Sequence, residues 1–406
     1  MGKGCELTWN RHDTIWSMCR KRLLVLACAA VSLAVSFAAS PAFKTEQIFA
    51  PETIHNHSSS IVELPGGDLL VCWYNGSGER QADDVKIEGA RLKKGAKAWS
   101  PRFLMYDTPG FPDTNPVLYV DAQKRVTLYW GLIVANEWHT AILKYVRSDT
   151  AWHGAGAPKW QWSSEILLKP VNLLERTKQY VKEVNLPMGE RVEKLIEHAG
   201  DKYFARMGWF TRTHPIELPS GRLILPLYSD GYSFGLMGLS EDHGVTWQGS
   251  EPIIGGGGVQ PSVVRRKDGE LVAYLRDNGP PPKRILVSTS KDDGKSWTFA
   301  KDTELPNPGS SIEAIALKDG RWIMVYNDTE KGRHSLAVSL SDDEGRTWKW
   351  TRHIEKADAG SFHYPSVIQS RDGIIHVTYS RYTGAKPEMQ SISHARFNIE
   401  WLVGRD

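Results

Sequence analysis

The sequence predicts an all-β chain: a six-bladed β-propeller with a short helical insertion in blade three. Three observations carry that reading. A short motif recurs as Ser240-x-Asp242-x-Gly244-x-Thr246-Trp247, Ser290-x-Asp292-x-Gly294-x-Ser296-Trp297 and Ser341-x-Asp343-x-Gly345-x-Thr347-Trp348, at intervals of 50 and 51 residues. A fixed period of that size marks a propeller or solenoid array. Apolar strands also pair across polar turns six times: Ile61–Trp73, Val117–Trp130, Ile216–Tyr228, Val263–Leu275, Ala314–Tyr326 and Val367–Tyr379. Most of these turns hold glycine (Gly66, Gly221, Gly269, Gly320, Gly373), the signature of regularly spaced hairpins. Finally, 16 Trp and 14 Tyr suit a β-rich fold with aromatic-lined surfaces.

Taken from the N-terminus, Arg20-Lys21-Arg22 precedes an apolar run from Leu23 to Ala39 and then Ser40-Pro41-Ala42. Basic, apolar and small-residue segments in that order predict a signal peptide over residues 1–42, with an uncleaved anchor as the alternative. The expected location is therefore secreted or periplasmic, with no stable membrane insertion once the leader is removed. Cys5, Cys19 and Cys28 lie in the leader, so Cys72 stands alone in the rest and a large core, not disulfides, must stabilise the fold. The formal charge of +3 comes from the leader, which leaves a balanced chain and argues against a nucleic-acid partner. A monomer is expected.

Residues 43–406 form a single propeller in this reading. The first two blades carry decayed motifs ending near Trp99 and Trp162. Residues 171–199 break the rhythm: Leu174, Tyr180, Val181 and Val184, then Val192, Leu195 and Ile196, have helical spacing, so one or two amphipathic helices are expected against the rim. Either a late segment near Arg396–Val403 or an early one near Thr45–Phe49 can close the ring. The Gly-rich run Ile253–Gly258 lacks the Lys-Ser/Thr ending of a phosphate cradle. No His/Cys/Asp cluster has zinc spacing, so neither a metal nor a cofactor is expected.

The repeated motif has a local physical reason. Asp242, Asp292 and Asp343 can accept hydrogen bonds from turn amides, glycine takes the φ > 0 position, and Trp covers the hairpin. The register it sets aligns the blades. Nine residues before the turn glycine, or before Lys124 in blade two, stand His57, Asn115, Arg212 (or His214), Gln260, Ser311 and Tyr364. If these begin the innermost strands, they converge on one mouth of the axial channel as a concave, hydrogen-bonding site. Glu313 enters the inner strand of blade five beside them.

The repeated motif is the Asp box, and the chain resembles bacterial sialidase-like BNR-repeat proteins of the sialidase superfamily from about residue 45 onward. The segments Leu305–Glu313 and Tyr364–Tyr379 carry that likeness most closely. The resemblance implies three arginines gripping a carboxylate, a Tyr nucleophile activated by Glu, and an Asp acid. Arg276 and Arg333 match two of the arginines, Tyr364 the nucleophile, and Asp83 or Asp84 the acid. Two positions depart from the pattern: His57 replaces the first arginine, and Gln260 replaces the activating Glu.

Those departures decide which chemistries stay open. A phenol with an ordinary pKa near ~10 needs a base to become a nucleophile. Gln cannot serve, whereas an imidazole can. A sialidase-type exo-glycosidase acting on glycans with a terminal acidic sugar is one reading. A polysaccharide lyase on uronates, using His57 and Tyr364 beside a carboxylate neutralised by arginine, is the second. A non-catalytic carbohydrate-binding propeller is the third, since Asp boxes brace hairpins in either case.

Overall fold

The computed structural model describes residues 42–404, in six antiparallel sheets. The central strands of each are buried along nearly their whole length, on both faces. Blade one comprises His55–Glu63, Leu69–Gly76, Lys86–Leu92 and Phe103–Tyr106; blade two comprises Asp113–Val120, Val126–Ile133, Ala141–Ser148 and Trp162–Glu165. Blade three has a split inner strand, Phe210–Thr211 and Ile216–Glu217, followed by Leu223–Ser229, Phe234–Ser240 and Gln248–Gly249. Blade four is Gly258–Arg265, Leu271–Asp277, Arg284–Ser290 and Lys301–Pro306; blade five is Glu313–Ala316, Trp322–Tyr326, Ser335–Ser341 and Trp350–Lys356.

Blade six closes the ring with both ends of the described chain. Ser361–Gln369, Ile375–Tyr382 and Gln390–Phe397 are completed by the early strand Phe43–Gln47, which pairs Thr45 with Ala395. The early segment thus supplies the closing strand. The late one ends the third strand and turns into the helix Ile399–Val403, whose Trp401 stacks on Phe43. The signal-peptide reading of residues 1–42 lies, but for Ala42, outside the described residues. Among the described residues no helix is long and apolar enough to cross a membrane.

Between blades the core is aliphatic and aromatic, with Trp73, Trp130 and Trp322 fully buried. The Asp boxes behave as their chemistry demands. Asp343 accepts from Thr347 N and Oγ1 and from Ser341 Oγ, and Asp242 does the same with Thr246 and Ser240. Gly345 is required twice over: its φ is 77°, and a Cβ there would lie 2.2 Å from Tyr274 Oη. Each box joins the third and fourth strands of its blade. Inner strands start at the opposite face, so the boxes brace the end of the propeller away from the aligned polar residues.

The insertion forms α1 (Leu173–Glu183), α2 (Glu190–Gly200) and α3 (Lys202–Arg206) between the outer strand of blade two and the inner strand of blade three. Leu173, Thr177 and Val181 are the buried stripe of α1, and Val192 and Ala199 that of α2. These helices pack on the rim of blades three and four. Tyr232 Oη donates to the His198 carbonyl at 2.8 Å, and Arg176 lies over the Phe299 ring.

Candidate functional site

Four inner strands share one irregularity. Register shifts fall between His57 and Ser60, Thr114 and Val117, Val259 and Ser262, and His363 and Ser366. Each bulge holds a non-glycine residue in the left-handed region: Ser58, Asn115, Gln260 and Tyr364, with φ between 49° and 57°. Bulges of this kind re-aim a side chain, and positive φ off glycine is strain that persists only where the surroundings enforce it. Here they turn polar side chains toward the axis at the start of each inner strand.

This backbone marker corrects the alignment in blade one. The turn residue with positive φ is Gly67, not Gly66, so Ser58 occupies the ring position and His57 precedes it. His57 is therefore the counterpart of His363, which precedes Tyr364, and not of Tyr364 itself. The tandem Gly66-Gly67 made the slip. His57 nevertheless reaches the same place, its ring centroid 4.1 Å from that of Tyr364 and 4.9 Å from that of His363.

Tyr364 is the hub. Its hydroxyl accepts from Arg276 Nη1 at 2.7 Å and from Gln260 Nε2 at 3.3 Å. The guanidinium carbons of Arg212, Arg276 and Arg333 stand 5.1, 5.9 and 5.6 Å from its ring centroid, within cation–π range. Arg333 also donates to the Gly309 carbonyl. Several polar atoms around this hub are buried without a partner: Arg276 Nε, Gln260 Oε1, His363 Nδ1 and Tyr382 Oη. Such atoms are costly to leave unpaired and mark a place where a polar ligand would satisfy them.

Burial, reinforced by His363, His55, Arg333 and Arg212, holds the His57 imidazole well below its ordinary pKa, so it is neutral near pH 7. Its Nδ1 lies 3.0 Å from Ser380 Oγ. His363 is depressed likewise, by burial and then Arg333. Asn115 donates to Tyr228 Oη at 3.3 Å, at the edge of the same group.

Other candidates stand apart from the hub. Asp83 and Asp84 are exposed, and Asp84 caps its own loop by accepting from Ser77 N and Oγ. The carboxylate of that loop that turns inward is Glu79, 3.3 Å from Tyr74 Oη and 3.6 Å from His55 Nε2. His55 holds Glu79 below the usual carboxylate range, against burial, which pushes the other way. His214 and Glu313 pair with each other on the axis, 2.9 Å apart. Asp242, Asp292 and Asp343 lie in the boxes at the far face.

Sequence reasoning passed over Tyr74, Tyr228, Glu79 and Asp230. A signal for the first two existed. Gly67 to Tyr74, Gly221 to Tyr228 and Gly269 to Arg276 are the same step along the second strand, so Arg276 has aromatic counterparts in two other blades. Asp230 follows that strand in blade three; burial raises its pKa, and Arg276 opposes the rise. A cavity of about 640 Å³ lies on the other side of the axial His214–Glu313 pair, lined by the far ends of the inner strands, and contains none of the Tyr364 group.

Comparison with known proteins agrees with this architecture. Residues 193–377 match the BNR repeat-like domain family. The chain is 26% identical over 184 residues to the anhydrosialidase of Macrobdella decora, a match covering 40% of this chain and 24% of that protein. It is 23% identical over 357 residues to a sialidase of Bacteroides fragilis, covering 79% of this chain and 60% of that protein. The chain thus spans less than two thirds of either relative. Among solved structures, the intramolecular trans-sialidase of Ruminococcus gnavus superposes with a TM-score of 0.66 at 14% identity, over 87% of this chain and 96% of that one. With six blades, three Asp boxes and these matches together, the chain is a sialidase-like BNR-repeat protein.

Proposed function

We propose that the protein is a glycosidase of the sialidase type, acting on glycans that end in an acidic sugar. The observation that carries this is the Arg276–Tyr364 contact at 2.7 Å, with Arg333 beside the same ring. In this scheme Arg276 and Arg333 clamp the sugar carboxylate, and Tyr364 Oη attacks the anomeric carbon to form a glycosyl–tyrosine bond as the glycosidic oxygen leaves. Water then cleaves that bond and regenerates the phenol.

Proton handling must differ from the Tyr–Glu arrangement because Gln260 accepts no proton. We assign the base to His57. With Nδ1–H donated to Ser380 Oγ, Nε2 is left as the basic nitrogen of a neutral ring packed on Tyr364. Leaving-group protonation is assigned to Asp230, whose burial favours the protonated carboxyl. Asp83 and Asp84 remain the acids that the family resemblance suggests. Export as a secreted or periplasmic monomer belongs to the same proposal.

Release of 4-methylumbelliferone from its α-N-acetylneuraminide tests the reading, with Tyr364→Phe lowering kcat by about a thousandfold while far-ultraviolet circular dichroism stays unchanged. Ultraviolet-absorbing products from a uronate polysaccharide, with no sialoside cleavage, would instead establish the lyase. Binding of sialosides without turnover would establish the lectin.

A further inference from the structure

Among the described residues, blade three is the one blade whose inner strand is split in two. Between Phe210–Thr211 and Ile216–Glu217, residues 212–214 leave the sheet and cross the axis. Arg212 Nη1 donates to the Ser59 carbonyl of blade one at 3.3 Å, and Nη2 to the Pro365 carbonyl of blade six at 2.9 Å. Thr213 Oγ1 donates to the Pro261 carbonyl of blade four at 2.6 Å. His214 Nδ1 and backbone N both meet Glu313 Oε1 of blade five, and its Nε2 lies 2.9 Å from the Ile61 carbonyl of blade one. Glu313 Oε2 accepts from Val367 N of blade six.

The imidazole of His214 thus faces an acceptor on each side. A carbonyl oxygen has no proton to offer, and a carboxylate has none either, so both ring nitrogens must carry hydrogen for both bonds to exist. That ring is an imidazolium. Above it, the Arg212 guanidinium carbon is 5.1 Å from the Tyr364 ring, and Pro365, whose carbonyl Arg212 holds, is the next residue in the chain.

We propose that Arg212, His214 and Glu313 form an axial plug that positions Tyr364, with His214 held as an imidazolium and Arg212 fixing the bulge that presents the phenol. These are positioning residues, because both Arg212 Nη groups donate to backbone carbonyls and His214 and Glu313 bond to each other. The inference rests on the reading of Tyr364 as the reactive group. The groups facing His214 are Glu313 from blade five, Arg212 from its own blade and the Ile61 carbonyl from blade one. Burial disfavours the charged ring, but Glu313 outweighs it and leaves the His214 pKa raised; burial likewise opposes the Glu313 charge, and His214 leaves that pKa lowered. The plug is therefore intact at neutral pH, loosens as pH rises through the raised histidine value, and loosens again as pH falls through the lowered carboxylate value.

The test uses full-length protein with ¹⁵N-labelled histidine and ¹³C-labelled tyrosine rings. The expected spectrum has both His214 ring nitrogens still protonated at a pH above the ordinary imidazole titration at about 6.5. The Tyr364 ring signal moves when His214 finally loses its proton. A bare His214 ring nitrogen at neutral pH, or a Tyr364 signal indifferent to that titration, overturns the proposal. These readouts stand even if Arg212→Lys or Glu313→Gln fails to fold, and even if sialosides are not cleaved, an outcome that rejects only the glycosidase reading. Where turnover is seen, both variants lower kcat about a hundredfold with KM within about twofold. Folded variants with wild-type kcat overturn the positioning role.

Discussion

Gln260 donates its side-chain amide to the Tyr364 hydroxyl across 3.3 Å, while its own carbonyl oxygen is buried without a partner. An amide in that seat holds the phenol oxygen as an acceptor and gives its proton nowhere to go. Gln260→Glu puts a carboxylate at the same distance with no change in length. The expected outcome is a rise in kcat of about tenfold on a fluorogenic sialoside, together with loss of the dependence on His57. A fall in kcat would show that the amide is itself part of the working chemistry.

Arg276→Ala removes the nearer of the two donors to Tyr364 Oη and one side of the proposed carboxylate clamp. The expected cost is about 2–3 kcal/mol of transition-state binding, a fall in kcat/KM of roughly a hundredfold. Steady-state kinetics on a substrate and on its methyl ester separate the two contributions, because the ester should lose little further on mutation.

The pH dependence follows from His57. As a base it must be unprotonated, and burial with its cationic neighbours lowers its pKa well below the ordinary value. Activity should therefore persist below about pH 6.5 and fall on the acid side only as the depressed value is reached. Stability has the same sign. His57, His363 and His376, the last lowered to about 3 mainly by burial, bind protons more readily when unfolded. Their contribution is present above the unfolded imidazole value and is lost as pH falls below it toward the folded values. Melting curves between about pH 7 and pH 4 should show Tm falling throughout, with His363→Gln flattening the slope.

Asp343→Ala separates scaffold from site. The carboxylate accepts three hydrogen bonds but is solvent-facing, so the expected loss is about 1–2 kcal/mol, seen as a lower Tm. Because the box lies at the opposite end of its blade from Tyr364, kcat and KM should not change.

Much of the fold was legible because its signals are local. The Ser-x-Asp-x-Gly-x-Thr-Trp turn depends on contacts within eight residues, and the six hairpins depend on adjacent apolar strands. Tyr364 could be named in advance because the repeat aligns it in the polar ring, whereas Arg276 and Arg333 were named from the family resemblance. What sequence could not supply was anything decided across blades. The shift from Gly66 to Gly67 depends on which glycine takes the left-handed turn. The partners of Arg212 lie 153 residues away in each direction along the chain, on carbonyls that any residue type provides. Glu79 carried no signal in the sequence beside Asp83 and Asp84; only in the folded loop is Asp84 spent on Ser77 while Glu79 turns inward.

The break in the inner strand of blade three bears on traffic as well as geometry. With Arg212 and Glu313 almost fully buried at the centre, the tunnel common to propellers is stoppered here into a blind well. A saccharide chain cannot thread it. Whatever enters at the Tyr364 face must leave by the same doorway, so a tip is favoured over a mid-chain segment, and a spent product delays the next arrival until it has backed out.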